Sequence, residues 1–345
     1  MNYKLAFIGF GVVGQGLTEI LLEKEDMLAE KYDFHYAVVA ISDIIKGSVY
    51  DKNGLDMEKI LDMVKDGKKL DEYPSGVKGM DTLATIKETN ADTIIEVTFT
   101  DVKTGEPALT HIKTALDAGK NVVSTNKGPV VKQAVDLLKK AKSNNVHYGF
   151  EGVVLSGTPV LNLVKHTLAG NKISGFKGIL NGTTNYILTR MEEGMPYDDA
   201  LKKAQELGYA EADPTGDVEG LDALGKVVIL TNVVLEKKLS WEDVERKGIT
   251  EITEDDIKKA KEEGKRWKLI GRAEVQSDGS VKAKVWPEKL PLNDPLAGVG
   301  EAINALTFNT DELGSVTIVG PGAGKRETGF SLLIDLLEMN RKLGV

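Results

Sequence analysis

A carboxylate-rich stretch at residues 208–226, GYAEADPTGDVEGLDALGK, holds the residues best suited to chemistry. Its acidic residues lie in a loop punctuated by glycine and proline that runs into an apolar helix, and they are Glu211, Asp213, Asp217, Glu219 and Asp222. Lys226 follows Asp222 by one helical turn, which places both side chains on one helix face. Carboxylates withdrawn from water beside a lysine are costly to build, and they suit a small cationic substrate that exchanges a proton. The alternative is a solvated acidic loop that caps the helix, with Asp217 as the N-cap.

A glycine-rich turn, GFGVVGQG at 9–16, follows an apolar run at 3–8 and precedes LTEILLEKEDMLAEKY at 17–32, whose helical spacing predicts one long first helix. Strand, glycine turn and helix in this order form the context that a dinucleotide fingerprint requires. Gly9 permits the tight turn, Gly11 lets the backbone approach a pyrophosphate, and Gly14 lets the helix pack closely on the strand. The predicted cofactor-binding residues here are Gly9, Phe10, Gly11, Val12, Val13 and Gly14. The alternative is a glycine-rich turn that binds nothing.

The second predicted strand, His35–Ile41, ends at Ser42 and Asp43. An acidic residue at this strand end usually holds the ribose 2′-hydroxyl of NAD. Lys46 lies close by in the sequence and would suit the 2′-phosphate of NADP instead. Ser42, Asp43 and Lys46 are therefore candidate cofactor residues that leave the choice between NAD and NADP open, and an ordinary polar turn is the alternative.

Strands and helices alternate from residue 93 to residue 151, which predicts a parallel sheet covered on both faces. Ligands of such sheets bind at the carboxyl ends of the strands. Thr98–Thr100 and Ser124–Lys127 fall at two of these ends, so Thr98, Thr100, Ser124 and Lys127 are expected to face a nicotinamide. Lys127 also stands at a helix start, where a cation opposes the helix dipole. Its presence there calls for a phosphate, a carboxylate or a reacting oxygen, unless the lysine is simply solvated.

The pattern changes after Glu151 to helices, the last two of them charged and at 241–264, and then to a strand hairpin through Ser277-Asp278-Gly279 and two more strands at 303–319. The tail again reads strand, glycine turn and helix, with Gly324 as a candidate cofactor contact and a ligand-free turn as the alternative. We therefore predict an α/β chain in which a Rossmann-type dinucleotide-binding domain is interrupted by an α+β domain with a mixed sheet. The expected limits are 1–151 for the dinucleotide-binding domain, 152–318 for a substrate-binding and dimerisation domain, and 319–345 for a helix that returns to the first domain.

Composition excludes several classes of function. The chain has no cysteine, which removes disulfides, thiol catalysis and zinc–thiolate sites and fits a cytoplasmic protein. Its four histidines lie far apart, so we expect no histidine-based metal site. A net charge of −9 argues against nucleic-acid binding, and no apolar run reaches the length of a membrane span.

Taken in order, the motifs GFGVVGQG, STNKGPV, EGVVLSGTPV, GILNGTTNYIL, LGYAEADPTGDVEGLDALGK and GPGAG resemble those of the homoserine dehydrogenases. The resemblance covers nearly the whole chain, and the block from GILNGTTNYIL to DVEGLDALGK is highly specific. It implies NAD(P)-dependent interconversion of aspartate semialdehyde and homoserine, on the route to threonine and methionine.

The resemblance also implies roles for individual residues. Lys226 resembles the catalytic lysine that exchanges a proton with the reacting oxygen, and Lys127 the second lysine near the nicotinamide. Which of the two donates the proton stays open, because one lysine can bind the substrate carboxylate instead. The implied substrate-binding residues are Glu211 and Asp217 for the ammonium, Asp222, which orients the substrate or supports the lysine, and Thr183, Gly182 and Tyr209 as lining. A monovalent cation such as Na⁺ is implied at Glu151, Val154, Ser156 and Thr158.

The resemblance further implies a homodimer formed through the sheet of the middle domain. The chain resembles the form of the family without a regulatory ACT domain or a fused aspartate kinase, so we expect no threonine inhibition through such a domain. Another amino-acid or semialdehyde dehydrogenase of the same architecture is the nearest alternative function. A nucleotide-binding regulator without turnover is an alternative of a different class.

Overall fold

The computed structural model describes residues 2–343. Its strands are β1 (Asn2–Ile8), β2 (His35–Asp43), β3 (Gly47–Tyr50), β4 (Val77–Lys78), β5 (Thr93–Glu96), β6 (Asn121–Ser124), β7 (Tyr148–Gly149), β8 (Ile173–Ile179), β9 (Glu245–Arg246), β10 (Lys265–Val275), β11 (Val281–Pro291), β12 (Ile303–Thr310) and β13 (Gly314–Pro321). Its helices are α1 (Val12–Glu23), α2 (Glu25–Tyr32), α3 (Met57–Lys65), α4 (Thr82–Glu88), α5 (Ala108–Asp117), α6 (Lys127–Ser143), α7 (Val160–Asn162), α8 (Gly182–Glu192), α9 (Tyr197–Glu206), α10 (Thr215–Val218), α11 (Leu221–Val233), α12 (Glu254–Glu262) and α13 (Lys325–Leu343). Among these helices none is both long and apolar enough to cross a membrane.

The chain divides into two compact units. The first unit contains the residues up to Gly157 and those from Gly324 onward, and the second unit runs from Thr158 to Ala323. The boundaries expected from the sequence, after residues 151 and 318, precede these limits by a few residues, and the expected outer limits at 1 and 345 lie outside the described residues.

Within residues 2–157 the first unit forms a seven-stranded sheet in the order β4-β3-β2-β1-β5-β6-β7. Five neighbouring strands run parallel, in the order β2, β1, β5, β6 and β7. Strands β3 and β4 add an antiparallel edge that the sequence did not predict. After β1 the chain adds β2, β3 and β4 on one side of that strand, and it then crosses over to add β5, β6 and β7 on the other side. The gap between β1 and β5 is therefore the switch point of the sheet, where ligands of this architecture bind.

Helix α13 packs against α1 in the first unit. A Cβ atom added to Gly16 would lie 2.3 Å from the carbonyl oxygen of Lys325, so the two backbones approach as closely as glycine allows. Ion pairs join Lys325 to Glu19 and Arg326 to Glu23 along the same contact. The sequence predicted one long first helix, but the chain breaks at Lys24, which has φ −113° and ψ 11° and separates α1 from α2.

The second unit forms a mixed sheet in the order β13-β12-β8-β10-β11-β9. The predicted hairpin between β10 and β11 and the predicted pair β12–β13 are both confirmed. Helix α11 is buried on nearly all sides, and Val227 of α11 and Leu180 lie against Gly271 of β10, so these elements cover one face of the sheet. Together the two sheets confirm the predicted fold class, a Rossmann-type domain interrupted by an α+β domain.

One prediction for the second unit was wrong. The charged segment at 241–264 was expected to form two helices, but Trp241–Asp243 makes a single 3₁₀ turn and Glu245–Arg246 becomes strand β9. Strand β9 pairs with β11, and the Lys247 amide donates to the Val285 carbonyl oxygen at 2.9 Å. Pairing with a distant strand therefore overrides the local helix preference.

Candidate active site

The turn after β1 contains two glycines in different surroundings. Gly9 has φ +86°, and a Cβ atom on it would lie 2.7 Å from the Val97 carbonyl oxygen, so the fold itself requires glycine there. Gly11 is the N-cap of α1, and a Cβ atom on it would meet nothing within 4 Å. This open approach to the first turn of a helix fits the pyrophosphate of a dinucleotide.

The remaining residues of this turn differ in how far they are exposed. Phe10 is 0% exposed, and its ring lies 5.4 Å from that of Phe7 at 87°, an edge-to-face contact worth about 0.5–1.5 kcal/mol. Phe10 can therefore contribute to a ligand site only through its backbone. Val13 packs against the apolar core, whereas Val12 is 64% exposed. A Cβ atom on Gly14 would contact the Gly9 carbonyl oxygen at 3.4 Å, consistent with close packing of α1 on the turn.

Asp43 ties the end of β2 to the glycine turn. Its carboxylate accepts hydrogen bonds from the amides of Phe10 (2.8 Å), Ile45 (2.9 Å) and Lys46 (2.8 Å). Burial acts to raise the pKa of Asp43, but these hydrogen bonds and the Lys46 ammonium outweigh it and hold the pKa below its ordinary value. Ser42 beside it is buried, with its hydroxyl 3.2 Å from that of Thr82. The end of β2 thus presents an ionised carboxylate whose nearest cation, Lys46 Nζ, lies 3.9 Å away.

The ends of β5 and β6 are joined by a carboxylate, Glu96, that was not predicted from the sequence. Glu96, the last residue of β5, accepts hydrogen bonds from the hydroxyls of Thr98 and Ser124. Lys127 begins α6 and is half-buried, and Thr100 is exposed. The available signal for Glu96 was an acidic residue at the end of an otherwise apolar strand, TIIE.

Lys226 and Asp222 form the central ion pair of the second unit. Lys226 is 4% exposed on α11, and its Nζ donates to the Leu180 carbonyl oxygen at 2.5 Å and to Asp222 Oδ2 at 2.7 Å. The Asp222 side chain is 19% exposed. The two residues thus occupy one helix face, and a buried ammonium beside a partly exposed carboxylate is suited to exchange a proton with a small molecule.

Asn181 connects this ion pair to a second carboxylate. Its Nδ2 donates to Asp217 Oδ1 at 2.6 Å and to Asp222 Oδ2 at 3.1 Å, while its Oδ1 accepts from the Thr184 amide as the N-cap of α8. Burial raises the pKa of Asp217 and the charge of Asp222 adds to the rise, against the hydrogen bond from Asn181. Asn181 was not predicted from the sequence, although it lies inside GILNGTTNYIL, where a helix-capping asparagine is an ordinary interpretation.

The interpretation of Asp217 as a helix N-cap is wrong. Asp217 lies inside the one-turn helix α10, whose N-cap is Pro214, and Gly220 is the N-cap of α11. Gly220 has φ +76°, a left-handed conformation that glycine adopts without strain. Asp217 is thereby left to face Asn181.

Three of the predicted substrate-lining residues lie near the start of α8. The Thr183 hydroxyl is buried and donates to the Tyr209 carbonyl oxygen at 2.6 Å. The Tyr209 ring is 45% exposed and lies 5.2 Å from the Tyr186 ring. A Cβ atom on Gly182 would lie 2.7 Å from the Ala302 carbonyl oxygen, so only glycine fits there without displacement. These contacts bring the 208–217 loop and the start of α8 together.

Glu211 lies apart from this network. It is exposed, and the hydrogen bond at this residue runs from Gln205 Nε2 to its backbone carbonyl oxygen at 3.1 Å. Within residues 2–343 its carboxylate makes no hydrogen bond with Asn181, Asp217 or Asp222. Of the other acidic residues of the loop, Asp213 accepts a hydrogen bond from the Thr215 amide. Glu219 forms an ion pair with Arg246 and accepts a hydrogen bond from the Thr250 hydroxyl.

The residues predicted to hold a monovalent cation are buried. Glu151, Val154 and Ser156 belong to the first unit, where the Glu151 amide donates to Asp335 Oδ2 at 2.9 Å. Thr158 opens the second unit, and its hydroxyl donates to the Pro321 carbonyl oxygen at 3.0 Å. Across residues 2–343 no group of three or more His, Cys, Asp or Glu gathers as a metal site would require, and a cation held by carbonyl oxygens stays a prediction. Gly324, the predicted cofactor contact in the tail, has φ +133° and lies beside the Glu327 carboxylate.

Comparison with known proteins gives matches over both units. The homoserine dehydrogenase family model matches residues 159–337, and the Glutamate/Leucine/Phenylalanine/Valine dehydrogenase model matches residues 2–155. The chain is 44% identical to the NAD(+)-dependent homoserine dehydrogenase of Pseudomonas canavaninivorans, over 99% of this chain and 97% of the relative.

Solved structures agree with these matches. A putative homoserine dehydrogenase from Archaeoglobus fulgidus superposes with a TM-score of 0.87 at 38% identity, over 98% of this chain and 99% of that one. A hyperthermophilic archaeal homoserine dehydrogenase in complex with NADPH superposes with a TM-score of 0.84 at 29% identity, over 99% of each chain.

Proposed function

The chain belongs to the homoserine dehydrogenase family, whose members are NAD(P)-dependent oxidoreductases, and we propose that it interconverts L-homoserine and L-aspartate 4-semialdehyde in threonine and methionine biosynthesis. The observation that carries the proposal is the buried ion pair of Lys226 and Asp222, joined through Asn181 to Asp217. This arrangement offers a proton-exchanging group next to carboxylates that suit an ammonium, as an amino-acid alcohol requires.

Lys226 is the group that we assign to proton exchange. When homoserine is oxidised, a hydride leaves the carbinol carbon and a proton leaves its hydroxyl, so that the C–O bond becomes a carbonyl. A bound nicotinamide supplies the hydride acceptor in this direction and the hydride donor in reverse. As the neutral amine, Lys226 takes up the hydroxyl proton, and in the reverse direction its ammonium returns the proton and stabilises negative charge on the oxygen. Two hydrogen bonds, which Nζ donates to the Leu180 carbonyl oxygen and to the Asp222 carboxylate, orient Nζ for this task.

The substrate ends are assigned by charge. Asp217 and Glu211 are proposed to bind the substrate ammonium, with Thr183, Gly182 and the exposed Tyr209 ring as lining. Lys127, from the STNKGPV motif, is proposed as the second lysine, which contacts either the reacting oxygen or the substrate carboxylate. Of these residues, Asp217 has the strongest support, because it is half-buried and bonded to the same amide as Asp222.

Replacement Asp217→Asn should stabilise the protein while it weakens substrate binding. The pKa of Asp217 is raised in the folded chain above its ordinary value, so its ionised form disfavours folding at neutral pH, and the neutral amide removes that cost. We expect a higher Tm at pH 7 but not near pH 3, where the native carboxyl is itself protonated. The KM for homoserine should rise about tenfold or more, because a charge-assisted bond to the ammonium is lost.

Asp213→Asn is the matched control for this change, because Asp213 is an exposed acid of the same loop. Hydrogen bonds from Thr215 hold its pKa below the ordinary value, so its replacement should not raise Tm or KM. An unchanged KM in Asp217→Asn would remove Asp217 from the substrate site.

For the nucleotide, we propose that NAD is preferred over NADP. The ionised Asp43 would accept a hydrogen bond from the ribose 2′-hydroxyl and repel a 2′-phosphate. The following residues, Ile44 and Ile45, are 93% and 71% exposed and uncharged, and the Lys46 ammonium is already paired with Asp43 at 3.9 Å. The relative from Pseudomonas canavaninivorans is named as NAD(+)-dependent, in agreement with this proposal, although an archaeal structure of the family contains NADPH.

Initial-rate assays of the purified chain with both nucleotides test the function. We expect reduction of NAD with L-homoserine, a kcat/KM for NAD at least about tenfold above that for NADP, and slow or absent turnover of glutamate, leucine, phenylalanine and valine. Those four amino acids are included because the second family model spans residues 2–155. Turnover of one of them in preference to homoserine would favour an amino-acid dehydrogenase instead, and no turnover of any would favour a nucleotide-binding regulator.

We also propose that the chain is a cytoplasmic homodimer formed through the second sheet. Within this sheet Ile270, Ile179 and Ala305 are buried inside the chain, whereas Trp286 of β11 and Val319 of β13 are 37% and 53% exposed. These two exposed apolar side chains are available to contact a second copy. Sedimentation equilibrium should give about twice the chain mass of 37.4 kDa, and a monomer at micromolar concentration would contradict the proposal.

A further inference from the structure

Glu96 is a fully buried carboxylate at the centre of the first sheet. It is 0% exposed and ends β5, where it pairs in register with Ile8 of β1 on one side and Ser124 of β6 on the other. Ile8 is the residue before the glycine turn, and β1 and β5 flank the switch point of the sheet. Glu96 therefore lies directly below the position where a bound dinucleotide crosses such a sheet.

Its two oxygens hold the turns that follow β5 and β6. Oε1 accepts from the Thr98 amide at 3.2 Å and from the Thr98 hydroxyl, and Oε2 accepts from the Ser124 hydroxyl at 3.2 Å. The Ser124 oxygen in turn accepts from the Asn126 amide at 3.0 Å, and Asn126 Nδ2 donates back to the Thr98 carbonyl oxygen at 3.3 Å. This closed network fixes the positions of Thr98 and Ser124 relative to each other.

The charge of Glu96 is held by hydrogen-bond donors. Within residues 2–343 it forms no ion pair with lysine or arginine, and the basic group beside it is His111, whose Nδ1 lies 3.5 Å from Oε1. One amide and two hydroxyls donate to its oxygens, which is the set of partners that an ionised carboxylate accepts. Charge in a buried position is weakly screened, so it acts over several ångströms.

We propose that Glu96 is a positioning residue of the nucleotide site and that its negative charge favours the oxidised nucleotide over the reduced one. The inference rests on the proposed NAD(P)-dependent function. Its hydrogen bonds place Thr98 and Ser124 for both forms of the nucleotide alike. Its charge distinguishes them, because the oxidised nicotinamide ring carries a positive charge and the reduced ring is neutral. Binding of the oxidised form thereby gains a Coulombic attraction that binding of the reduced form lacks.

Dissociation constants of NAD⁺ and NADH, measured by fluorescence titration and competition, separate the two effects. Glu96→Gln keeps the shape and removes the charge, so we expect it to raise the Kd of NAD⁺ on the order of tenfold more than that of NADH. Glu88→Gln removes an exposed carboxylate from α4 and should change neither constant. Equal changes of both constants in Glu96→Gln, or no change in either, would overturn the inference.

Ser124→Ala gives a second test, which also serves if Glu96→Gln fails to fold. It removes one hydroxyl of the network and keeps the charge, so both constants should rise by the same few-fold factor. An altered ratio of the two constants, or unaltered affinities, would contradict the inference. A wild-type chain that binds neither nucleotide would overturn the proposed function and this inference together, whereas normal binding with an unchanged ratio in Glu96→Gln overturns this inference alone.

Discussion

Replacement of Lys226 by alanine should lower kcat for homoserine oxidation by about a hundredfold or more while nucleotide binding survives. The residue belongs to the second unit, and its ammonium is the proposed partner of the reacting oxygen. The change removes the proton acceptor and leaves the Asp222 carboxylate without this cation. The nucleotide fingerprint lies in the first unit, so the Kd of NAD⁺ should stay within about twofold of the wild-type value.

Two controls separate chemistry from folding in this experiment. Lys202→Ala removes an exposed lysine of α9 and should leave kcat unchanged. Loss of buried hydrogen bonds makes some loss of Tm expected for Lys226→Ala, so the assay is run well below the measured Tm. Small primary amines added to Lys226→Ala should restore part of the lost rate, which a purely structural defect would not allow. Turnover near that of the wild-type chain would remove Lys226 from the catalytic role.

Replacement Gly11→Ala should abolish most nucleotide affinity and leave the fold intact. A Cβ atom on Gly11 meets nothing within 4 Å of the protein, yet it would fill the space through which a pyrophosphate approaches the start of α1. We expect a Kd for NAD⁺ higher by about a hundredfold, which corresponds to about 2.7 kcal/mol. Stability should fall by about 1 kcal/mol at most, because alanine is the poorer N-cap.

The matched control is Gly298→Ala, at an exposed glycine of the second unit whose added Cβ atom also meets nothing within 4 Å. It should change neither Tm nor Kd. Gly9→Ala is the contrasting variant, because its Cβ atom would clash with Val97 and the residue needs φ +86°. It should lose stability as well as affinity. Full nucleotide affinity in Gly11→Ala would mean that the glycine turn is not the phosphate site.

Much of the fold could be predicted from the sequence because local signals agreed with the tertiary structure. The run of strand, glycine turn and helix at 3–32 and the hairpin through Gly279 are encoded by residues that are neighbours in the chain. Strands β3, β4 and β9 are two to four residues long, and they exist through pairing with distant strands. Such pairing leaves no periodic pattern in the sequence, so these strands were missed.

The residues of the candidate site likewise divide into those that the sequence predicted and those that it did not. The i, i+4 spacing of Asp222 and Lys226 on a helix was sufficient to predict their ion pair. Asn181 and Glu96 were not predicted, since their importance comes from partners 36 and 28 residues away, at Asp217 and Ser124. Glu211 and Asp217 are both acidic residues of one loop, and the sequence does not distinguish their environments. The folded loop exposes Glu211 and half-buries Asp217. Burial of a polar side chain depends on packing that a single loop sequence does not specify.

The most direct test of the central claim is a label-transfer measurement with L-homoserine that carries two deuterium atoms on its carbinol carbon. The chain is incubated with NAD⁺, and the reduced nucleotide is analysed by mass spectrometry. We expect the NADH formed to contain one deuterium per molecule, because the hydride leaves the carbon that bears the hydroxyl. Reduced nucleotide without deuterium would place the oxidation at another carbon of the amino acid, and no reduced nucleotide would mean that the chain does not oxidise homoserine. Either result would contradict the proposed function.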